Sequence, residues 1–250
     1  MPRAVITGAS SGIGFALAQE LGRRGWALAL IARRTELLEK ACGSFRAVAL
    51  TADVTDAEAV RGAVRRGEMD LGGPFDLAVA NAGFSVPTHA AKFKLADADQ
   101  IIRVNLLGMV NLFAAVIPSM IERRSGRFAG VASVAGLRGL PTASAYSASK
   151  AGMQAFLEAS RVELAPYGVG VSIINPGFVD TPMVARNRFR MPFLMSADQA
   201  AVVIANGLER GTRVIEFPRP TSLIMRTARI LPDFLYDAIT ARAGRIKGNV

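Results

Sequence analysis

The stretch Tyr146–Lys150, YSASK, holds a phenol and an amine at a spacing that could exchange protons. On a helix, residues four apart lie on one face, one turn from each other. A free tyrosine has a pKa of about 10, and a neighbouring ammonium would favour the phenolate and lower that value. The pair predicts a general acid/base for interconverting a carbonyl and an alcohol, although Tyr-x3-Lys alone is more typical of a solvated helix face. Ser133 ends the apolar run RFAGVAS and could donate a hydrogen bond to the reacting oxygen.

The stretch TGASSGIG, Thr7–Gly14, allows two interpretations. As G-x-S-x-G it could be a hydrolase nucleophile elbow, with Ser10 as nucleophile, His89 as the only histidine in the chain and Asp76 as the acid. The few residues before Gly8 cannot supply the earlier strand and loop from which an elbow takes an oxyanion donor. A phosphate cradle that opens a helix is therefore favoured, with glycines for close backbone approach. Its predicted cofactor-binding residues are Gly8, Ser10, Ser11, Gly12, Ile13 and Gly14.

Two arginines, Arg33 and Arg34, end the second predicted strand, where an acid would hold a free ribose 2′-hydroxyl. A guanidinium suits a 2′-phosphate because it makes forked, charge-assisted hydrogen bonds. The sequence thus favours NADP over NAD, unless these arginines merely begin a solvated helix.

Short apolar runs alternate with amphipathic stretches along the whole chain. The predicted strands are 3–7, 26–32, 46–51, 76–81, 127–133, 169–175 and 213–217, and the predicted helices are 12–24, 35–42, 56–67, 97–123, 144–165 and 197–209. Helix ends are expected at Gly25, Gly126 and Gly168, and N-caps at Asp56 and Asp97. This order predicts one α/β domain over residues 1–250, Rossmann-like, with a doubly wound parallel seven-stranded sheet and helices on both faces.

Composition narrows the class further. With Cys42 as its single cysteine, the 250-residue chain can form neither an intramolecular disulfide nor a cysteine metal cluster, which fits a reducing, cytoplasmic location and no metal. The net charge is +10, but the basic residues are scattered, without zinc-finger spacing or an aromatic RNA-binding signature, so no nucleic-acid partner is predicted. We see no leader segment, and no run of 18 apolar residues predicts a membrane-spanning helix.

Taken together, residues 3 to 182 resemble the classical short-chain dehydrogenase/reductase family. The matching motifs are Thr7-Gly8-x3-Gly12-x-Gly14, Asp53-Val54, Asn81-Ala82-Gly83, Asn105, Ser133, Tyr146 with Lys150, Pro176-Gly177, Val179 and Thr181. The resemblance implies an adenine contact at Asp53-Val54, further cofactor contacts at 81–83, 176–177, 179 and 181, and nicotinamide amide contacts at Val179 and Thr181. It also implies that Tyr146 protonates the substrate oxygen, Ser133 steadies it, Lys150 lowers the tyrosine pKa and binds the nicotinamide ribose, and Asn105 holds a water linked to Lys150.

Two segments bear on the substrate. Residues 181–196 are predicted to be a substrate loop or lid in which apolar side chains alternate with Arg186, Arg188 and Arg190. Residues 219–250 form a basic, apolar extension with a helix predicted to start at Pro232-Asp233, and 220–250 is either a peripheral membrane contact or a cover for the pocket or a partner subunit. Its composition is loosely similar to the tails of membrane-facing reductases of this family, such as ketosphinganine reductases.

The function expected is a reductase of an apolar or lipid-like ketone, a small-molecule substrate. The alternatives are a reductase of small polar ketones and a catalytically idle NADP-binding regulatory or scaffold protein. The resemblance also implies a homodimer or homotetramer built on helices 97–123 and 144–165, the second of which is rich in small residues.

Overall fold

A computed structural model describes residues 1–185 and 191–246 of the chain. Its seven strands are β1 (Arg3–Thr7), β2 (Ala27–Ala32), β3 (Ala47–Thr51), β4 (Leu77–Ala80), β5 (Arg127–Val131), β6 (Gly170–Pro176) and β7 (Val214–Phe217). They form one sheet in the order β3-β2-β1-β4-β5-β6-β7, and every neighbouring pair is parallel. The central strands are apolar throughout because helices cover both faces of the sheet.

The helices are α1 (Gly12–Arg23), α2 (Thr35–Cys42), α3 (Ala57–Leu71), α4 (Leu95–Ile102), α5 (Gly108–Glu122), α6 (Ser144–Leu164), α7 (Ala197–Glu209), α8 (Arg219–Ile230) and α9 (Asp233–Ile246). Alternate strand residues enter two separate cores. Val5 faces the core that α3, α5 and α6 cover, whereas Ile6 faces the core under α1, α2 and α7. The predicted doubly wound α/β fold is confirmed.

The predicted boundaries mostly hold. Asp56 caps α3 by accepting hydrogen bonds from two backbone N–H groups, as predicted. The helix runs on to Leu71, beyond the predicted end, and stops where Gly72 takes a φ of 75°. The predicted N-cap at Asp97 is wrong, because α4 already begins at Leu95 and leaves Asp97 inside the first turn.

Helices α4 and α5 are joined by a π-helical turn, Arg103–Leu107, into one continuous helix, Leu95–Glu122. In the described part of the chain this 28-residue helix, with a mean hydropathy of 1.9 in its most apolar window, is long and apolar enough to cross a membrane. That departs from the expectation drawn from uninterrupted apolar runs. Its buried residues Met109, Leu112 and Val116 nevertheless belong to the core against the sheet, which accounts for the apolar composition.

The sheet's topology creates a crevice at one edge. Strand β2 lies on one side of β1 and β4 on the other, so the chain changes direction between β1 and β4. Ligands of such sheets bind at the carboxyl ends of the strands at this switch point. The loops after β1, β4, β5 and β6, which carry the sequence-predicted site residues, all emerge at this edge.

Candidate active site

The glycine positions of the loop after β1 do not tolerate side chains. Gly8 and Gly12 have φ values of 67° and 58°, which L residues with a side chain rarely adopt. A Cβ on Gly14 would lie 2.3 Å from Asn81 Nδ2 and 2.5 Å from Gly8 O, so only glycine permits this contact between helix and strand. The loop then opens α1, whose N-terminus is suited to an anion. These residues fit the diphosphate of a dinucleotide.

The loop is tied to the end of β4 by polar contacts. Asn81 Nδ2 donates to Thr7 O at 3.0 Å and to Gly8 O at 3.2 Å. Thr7 Oγ1 accepts hydrogen bonds from the backbone N–H groups of Asn81 and Ala82. Asn81 and Ala82 therefore shape the floor under the glycine loop, and Thr7, the first residue of the predicted motif, holds them there.

The two arginines after β2 converge on the same loop. Arg34 Nη2 donates to both Ser10 Oγ and Ser11 Oγ at 3.0 Å. Arg33 Nη1 lies 3.7 Å from Asp53 Oδ2, and both side chains remain exposed. The cluster leaves guanidinium N–H groups at the rim of the crevice, where an additional anionic group could bind.

Ser133 and Tyr146 come together at the other end of the crevice. Ser133 follows β5, and its Oγ accepts from Ala135 N at 3.1 Å. Tyr146 lies in the first turn of α6 with its phenol beside Ser133, whose hydroxyl donates to Pro176 O at 3.4 Å. Burial raises the pKa of the Tyr146 phenol, and the neighbouring Ser133 side chain opposes that rise.

Lys150 is a buried amine next to Tyr146. Its Nζ is buried, donates to Val131 O at 2.7 Å and lies 5.7 Å from the centre of the Tyr146 ring. Desolvation lowers the pKa of Lys150 to about 7, so near neutrality the amine is only partly charged. The amine faces the β5 carbonyl, and burial raises the pKa of Tyr146, so the lowering of that pKa by a Lys150 ammonium stays a prediction.

The buried amine should make stability depend on pH. The pKa of Lys150 is lower in the folded state than in the unfolded chain, so between pH 7 and about 10.5 the unfolded chain binds more protons. The free energy of unfolding of the cofactor-free protein should therefore rise with pH in this window, by at most about 1.4 kcal/mol per pH unit. The measurement is urea unfolding at pH 7 to 9 for the wild type and Lys150→Met. The free energy of unfolding should rise more steeply with pH for the wild type than for Lys150→Met. An equal dependence on pH in both proteins would contradict the low pKa of Lys150.

Asn105 sits inside the π-helical turn between α4 and α5 and is fully buried. Its Oδ1 accepts from Phe84 N at 2.7 Å, while its Nδ2 donates to Phe84 O and to Ser149 Oγ. The extra residue of a π turn turns the side chain toward the loop after β4, as such turns often do at functional sites. Asn105 thereby joins that loop to α6, next to Tyr146 and Lys150, while its expected water link to Lys150 stays a prediction.

A single cleft with about 1210 Å³ of empty volume, including its open mouth, connects these groups. Its walls contain all the predicted site residues except Gly14 and Asn105, which act from behind the wall. Sequence-predicted residues lining it include Ile13, Val54, Gly83, Pro176, Gly177, Val179 and Thr181. Because its walls run from the glycine loop and the two arginines after β2 to Ser133 and Tyr146, the cleft suits an extended ligand such as a dinucleotide together with a substrate.

The hydrolase interpretation fails on geometry. Asp76 accepts a hydrogen bond from Arg3 N at the start of β1 and β4, at the edge opposite to Ser10. His89 Nδ1 accepts from Ala91 N and caps a short turn, while Ser10 Oγ accepts from Arg34. The three residues of the alternative triad thus have separate structural roles.

A chain of buried polar side chains behind Ser133 was not predicted. Gln154 Nε2 donates to Ser133 O at 2.8 Å and to Asn175 Oδ1 at 2.9 Å. Asn175 Nδ2 donates to Glu216 Oε1 at 3.1 Å, and Arg226 Nε on α8 donates to Glu216 Oε2 at 2.8 Å. The sequence held one signal, since Gln154 lies four residues beyond Lys150 on the same helix face.

The two predicted substrate segments are only partly described. Met183 and Val184 of the predicted lid line the cleft, and Met195 pairs with Val179 at the lid's far end. Arg186, Arg188, Phe189 and Arg190 lie outside the described residues. The helix predicted from Pro232-Asp233 is present as α9, which begins at Asp233.

Comparison with known proteins agrees with this geometry. The short chain dehydrogenase family model matches residues 2–191. The chain is 40% identical over 244 residues, 96% of each protein, to an uncharacterized oxidoreductase of Myxococcus xanthus. It is 32% identical to the ketoacyl reductase HetN of Nostoc, over 91% of this chain and 84% of that protein.

A solved structure gives the same picture. The alcohol dehydrogenase of the archaeon Thermococcus sibiricus, in complex with 5-hydroxy-NADP, superposes with a TM-score of 0.78 at 29% identity, covering 87% of this chain and 95% of that one. The chain therefore belongs to the short-chain dehydrogenase/reductase family of oxidoreductases, which interconvert carbonyls and alcohols with a nicotinamide dinucleotide.

Proposed function

We propose that this chain is an NADPH-dependent reductase of an apolar, lipid-like ketone. The observation that carries the proposal is that one cleft joins Arg33 and Arg34 at one end to Ser133 and Tyr146 at the other. A dinucleotide with a 2′-phosphate would match the first pair, and a carbonyl oxygen the second.

The adenine end supports NADP over NAD through charge. A free 2′-hydroxyl is best held by a carboxylate, but the acid at this rim, Asp53, already faces Arg33 and accepts from Thr55. Arg33 and Arg34 would hold a phosphate there through charge-assisted hydrogen bonds. The side chains of Ser10 and Ser11, now bonded to Arg34, would face the same group.

The proton chemistry falls to Ser133 and Tyr146. The nicotinamide, when bound, supplies the hydride that reduces the carbonyl carbon. Ser133 Oγ donates a hydrogen bond to the carbonyl oxygen, and Tyr146 Oη transfers its proton to that oxygen as the carbonyl π electrons move onto it. The phenolate left behind regains its proton from solvent.

Lys150 acts on this step through charge. Its pKa of about 7 results from burial, and an anionic dinucleotide held in the same cleft would favour the protonated amine. The resulting ammonium beside the Tyr146 ring stabilises the phenolate that forms during reduction. Asn105 and Ser149 hold this part of α6 in place.

The apolar substrate class rests on the mouth of the cleft. Met183 lies within reach of Gly83 in the cleft and is 39% exposed, and Phe193 and Leu194 of the same segment are also exposed. Flexible thioethers and large apolar side chains suit a greasy ligand of variable shape. The ketoacyl reductase among the relatives acts on acyl ketones, as its name states, which is consistent with such a substrate.

The test is NADPH oxidation with a panel of long-chain 3-ketolipids, steroid ketones, quinones and short polar ketones. Turnover of the apolar ketones supports the proposal, whereas turnover of short polar ketones alone favours the first alternative. NADPH binding without turnover of any ketone favours the scaffold alternative.

The expected homodimer or homotetramer and the cytoplasmic location stay predictions. The surface that we expect a second copy to cover is the outward face of α6, with Ala151, Ala155 and the 71% exposed Val162.

A further inference from the structure

We propose that α8 and α9 form a docking surface for an anionic lipid bilayer at the mouth of the cleft. Large apolar side chains on these helices face solvent. We call them the C-terminal apolar surface, which consists of Leu223, Ile224, Ile230, Phe234, Leu235 and Ile239. Leu223 and Ile230, seven residues apart on one face of α8, are 67% and 80% exposed.

Helix α9 turns large apolar side chains to solvent, whereas a helix packed on a core buries them. Polar contacts tie it to the body of the protein: Asp233 pairs with Arg138 at 2.6 Å, and the Arg138 guanidinium lies 4.5 Å from the centre of the Tyr236 ring. The Tyr236 hydroxyl donates to Gly139 O. Phe234, on another face, is 71% exposed. The apolar face is thus presented outward by polar contacts that hold the helix from behind.

Charge identifies an anionic bilayer as the occupant. Residues 219–250 carry six basic side chains against two acidic ones; Asp233 is paired with Arg138 and Arg226 with Glu216, so one charge of each sign is taken up and the positive excess remains. A basic helix with an exposed apolar stripe binds in the interface of a negatively charged membrane, inserting the stripe and leaving its cations among the headgroups.

The position of this surface gives it a role in substrate entry, and that role rests on the proposed function. Thr221 of α8 packs against Gly177, a residue of the cleft wall, and Arg138 and Gly139 belong to the loop that follows Ser133. A bilayer held on α8 and α9 would lie beside the cleft mouth, where a lipid-like ketone could enter without crossing water.

The test is sedimentation of the full chain with phosphatidylcholine vesicles and with phosphatidylcholine/phosphatidylglycerol vesicles, without cofactor or substrate. We expect sedimentation with the anionic vesicles only, weakened by high salt. Leu223→Asp/Ile230→Asp should stay in the supernatant, whereas the control Met69→Asp, at a 70% exposed site on α3, should sediment like the wild type.

Circular dichroism and NADPH binding establish that each variant is folded. Recovery of the wild type in the supernatant with both vesicles overturns the proposal, as does binding by the double variant. A change in molar mass on light scattering, without vesicle binding, would assign the surface to a second copy instead. Because no turnover is measured, vesicle binding can fail while the reductase function stands, and the reverse.

A second observation carries its own inference: we infer that the polar chain from Arg226 to Ser133 positions the serine hydroxyl. Ser133 O is held by two donors, Gly136 N at 3.0 Å and Gln154 Nε2 at 2.8 Å. Gln154 and Asn175 are buried, so each lost hydrogen bond would leave a polar group without a partner in the core. Glu216 and Arg226 continue the chain to the exposed side of α8. The exposed Arg226 therefore bears on a serine that it does not touch.

The test measures both turnover and the serine turn itself. Gln154→Met keeps the side-chain length but removes the hydrogen bonds, and Arg226→Met cuts the chain at its outer end. Both should speed hydrogen exchange at the amides of Ala135 and Gly136, which donate to Ser133, and lower kcat with the Kd for NADPH unchanged. The two changes together should have no more effect than Gln154→Met alone, because they break one chain.

The matched control is Arg229→Met, which removes a neighbouring exposed arginine of α8 and should leave exchange and kcat unchanged. Unchanged exchange in Gln154→Met overturns the positioning role. Additive effects of the two substitutions would equally contradict a continuous chain. Faster exchange in a protein that reduces no ketone would leave the positioning of Ser133 intact and refute the reductase function instead.

Discussion

Tyr146→Phe is expected to lower kcat for ketone reduction by about three orders of magnitude, with the Kd for NADPH unchanged. The phenol is the one group beside Ser133 in the cleft wall with a proton that the proposed mechanism transfers. Phenylalanine fills the same space, so the loss comes from the missing proton and not from a cavity. The measurement is NADPH oxidation with the best ketone of the panel, together with NADPH fluorescence titration.

The matched control for this substitution is Tyr167→Phe, which removes a hydroxyl from an exposed tyrosine beyond the end of α6. It should leave kcat and the Kd unchanged. If Tyr146→Phe kept the wild-type kcat, the phenol could not be the proton donor. If it lost NADPH binding as well, the hydroxyl would be a cofactor ligand, and the loss of turnover would say nothing about proton transfer.

Much of the fold could be predicted because parallel strands buried on both faces are short apolar runs. The bounds of β1, α2 and α7 agree with the prediction, and the bounds of the other strands differ by one or two residues. The N-cap prediction at Asp97 is wrong because Leu95 and Ala96, before it, extend the helix without a side-chain cap. Capping residues have the same appearance in sequence when they lie in a first turn as when they precede it.

The residues of the candidate site could be predicted from the sequence for a different reason. Glycine at Gly8 and Gly12 is required by backbone φ, and glycine at Gly14 by the proximity of Asn81, so these positions leave a mark in the sequence. Gln154 is marked only by its spacing from Lys150, and Asn175 and Glu216 are not marked at all, because three separate elements bring these side chains together. A hydrogen-bonded chain of this kind follows from the packing of the sheet against α6 and α8.

Lys150 shows what spacing on a helix can and cannot predict. Spacing on a helix predicted that the amine and the phenol share a face, and they do. Spacing does not predict the degree of burial, which lowers the pKa of the amine and raises that of the phenol before any dinucleotide is bound. The charge state of the pair is thus a property of the occupied cleft, and the anionic cofactor is expected to set it.

The second large effect is expected at the adenine end of the cleft. Arg33→Asp/Arg34→Ala should raise the Kd for NADPH by about a hundredfold or more, because two charge-assisted contacts of about 1.5–3 kcal/mol each would be lost. The introduced aspartate should bind the free ribose hydroxyls of NADH and repel a 2′-phosphate. The affinity for NADH should therefore rise, and the preference between the two cofactors should reverse.

The chain offers a control with the same change of charge. Arg65→Asp/Arg66→Ala places the same two substitutions on an exposed arginine pair of α3, where only the ion pair of Arg66 with Asp70 is lost. A hundredfold loss there as well would mean that the net charge, and not the local guanidinium groups, attracts NADPH. An unchanged preference for NADPH in the Arg33/Arg34 variant would show that these arginines only begin a solvated helix.

The single substitutions should differ, because Arg34 also holds Ser10 and Ser11. Arg34→Ala alone should weaken the binding of both NADPH and NADH at the diphosphate, whereas Arg33→Asp alone should change the preference between them. That difference separates a role in shaping the loop from a role in binding the 2′-phosphate.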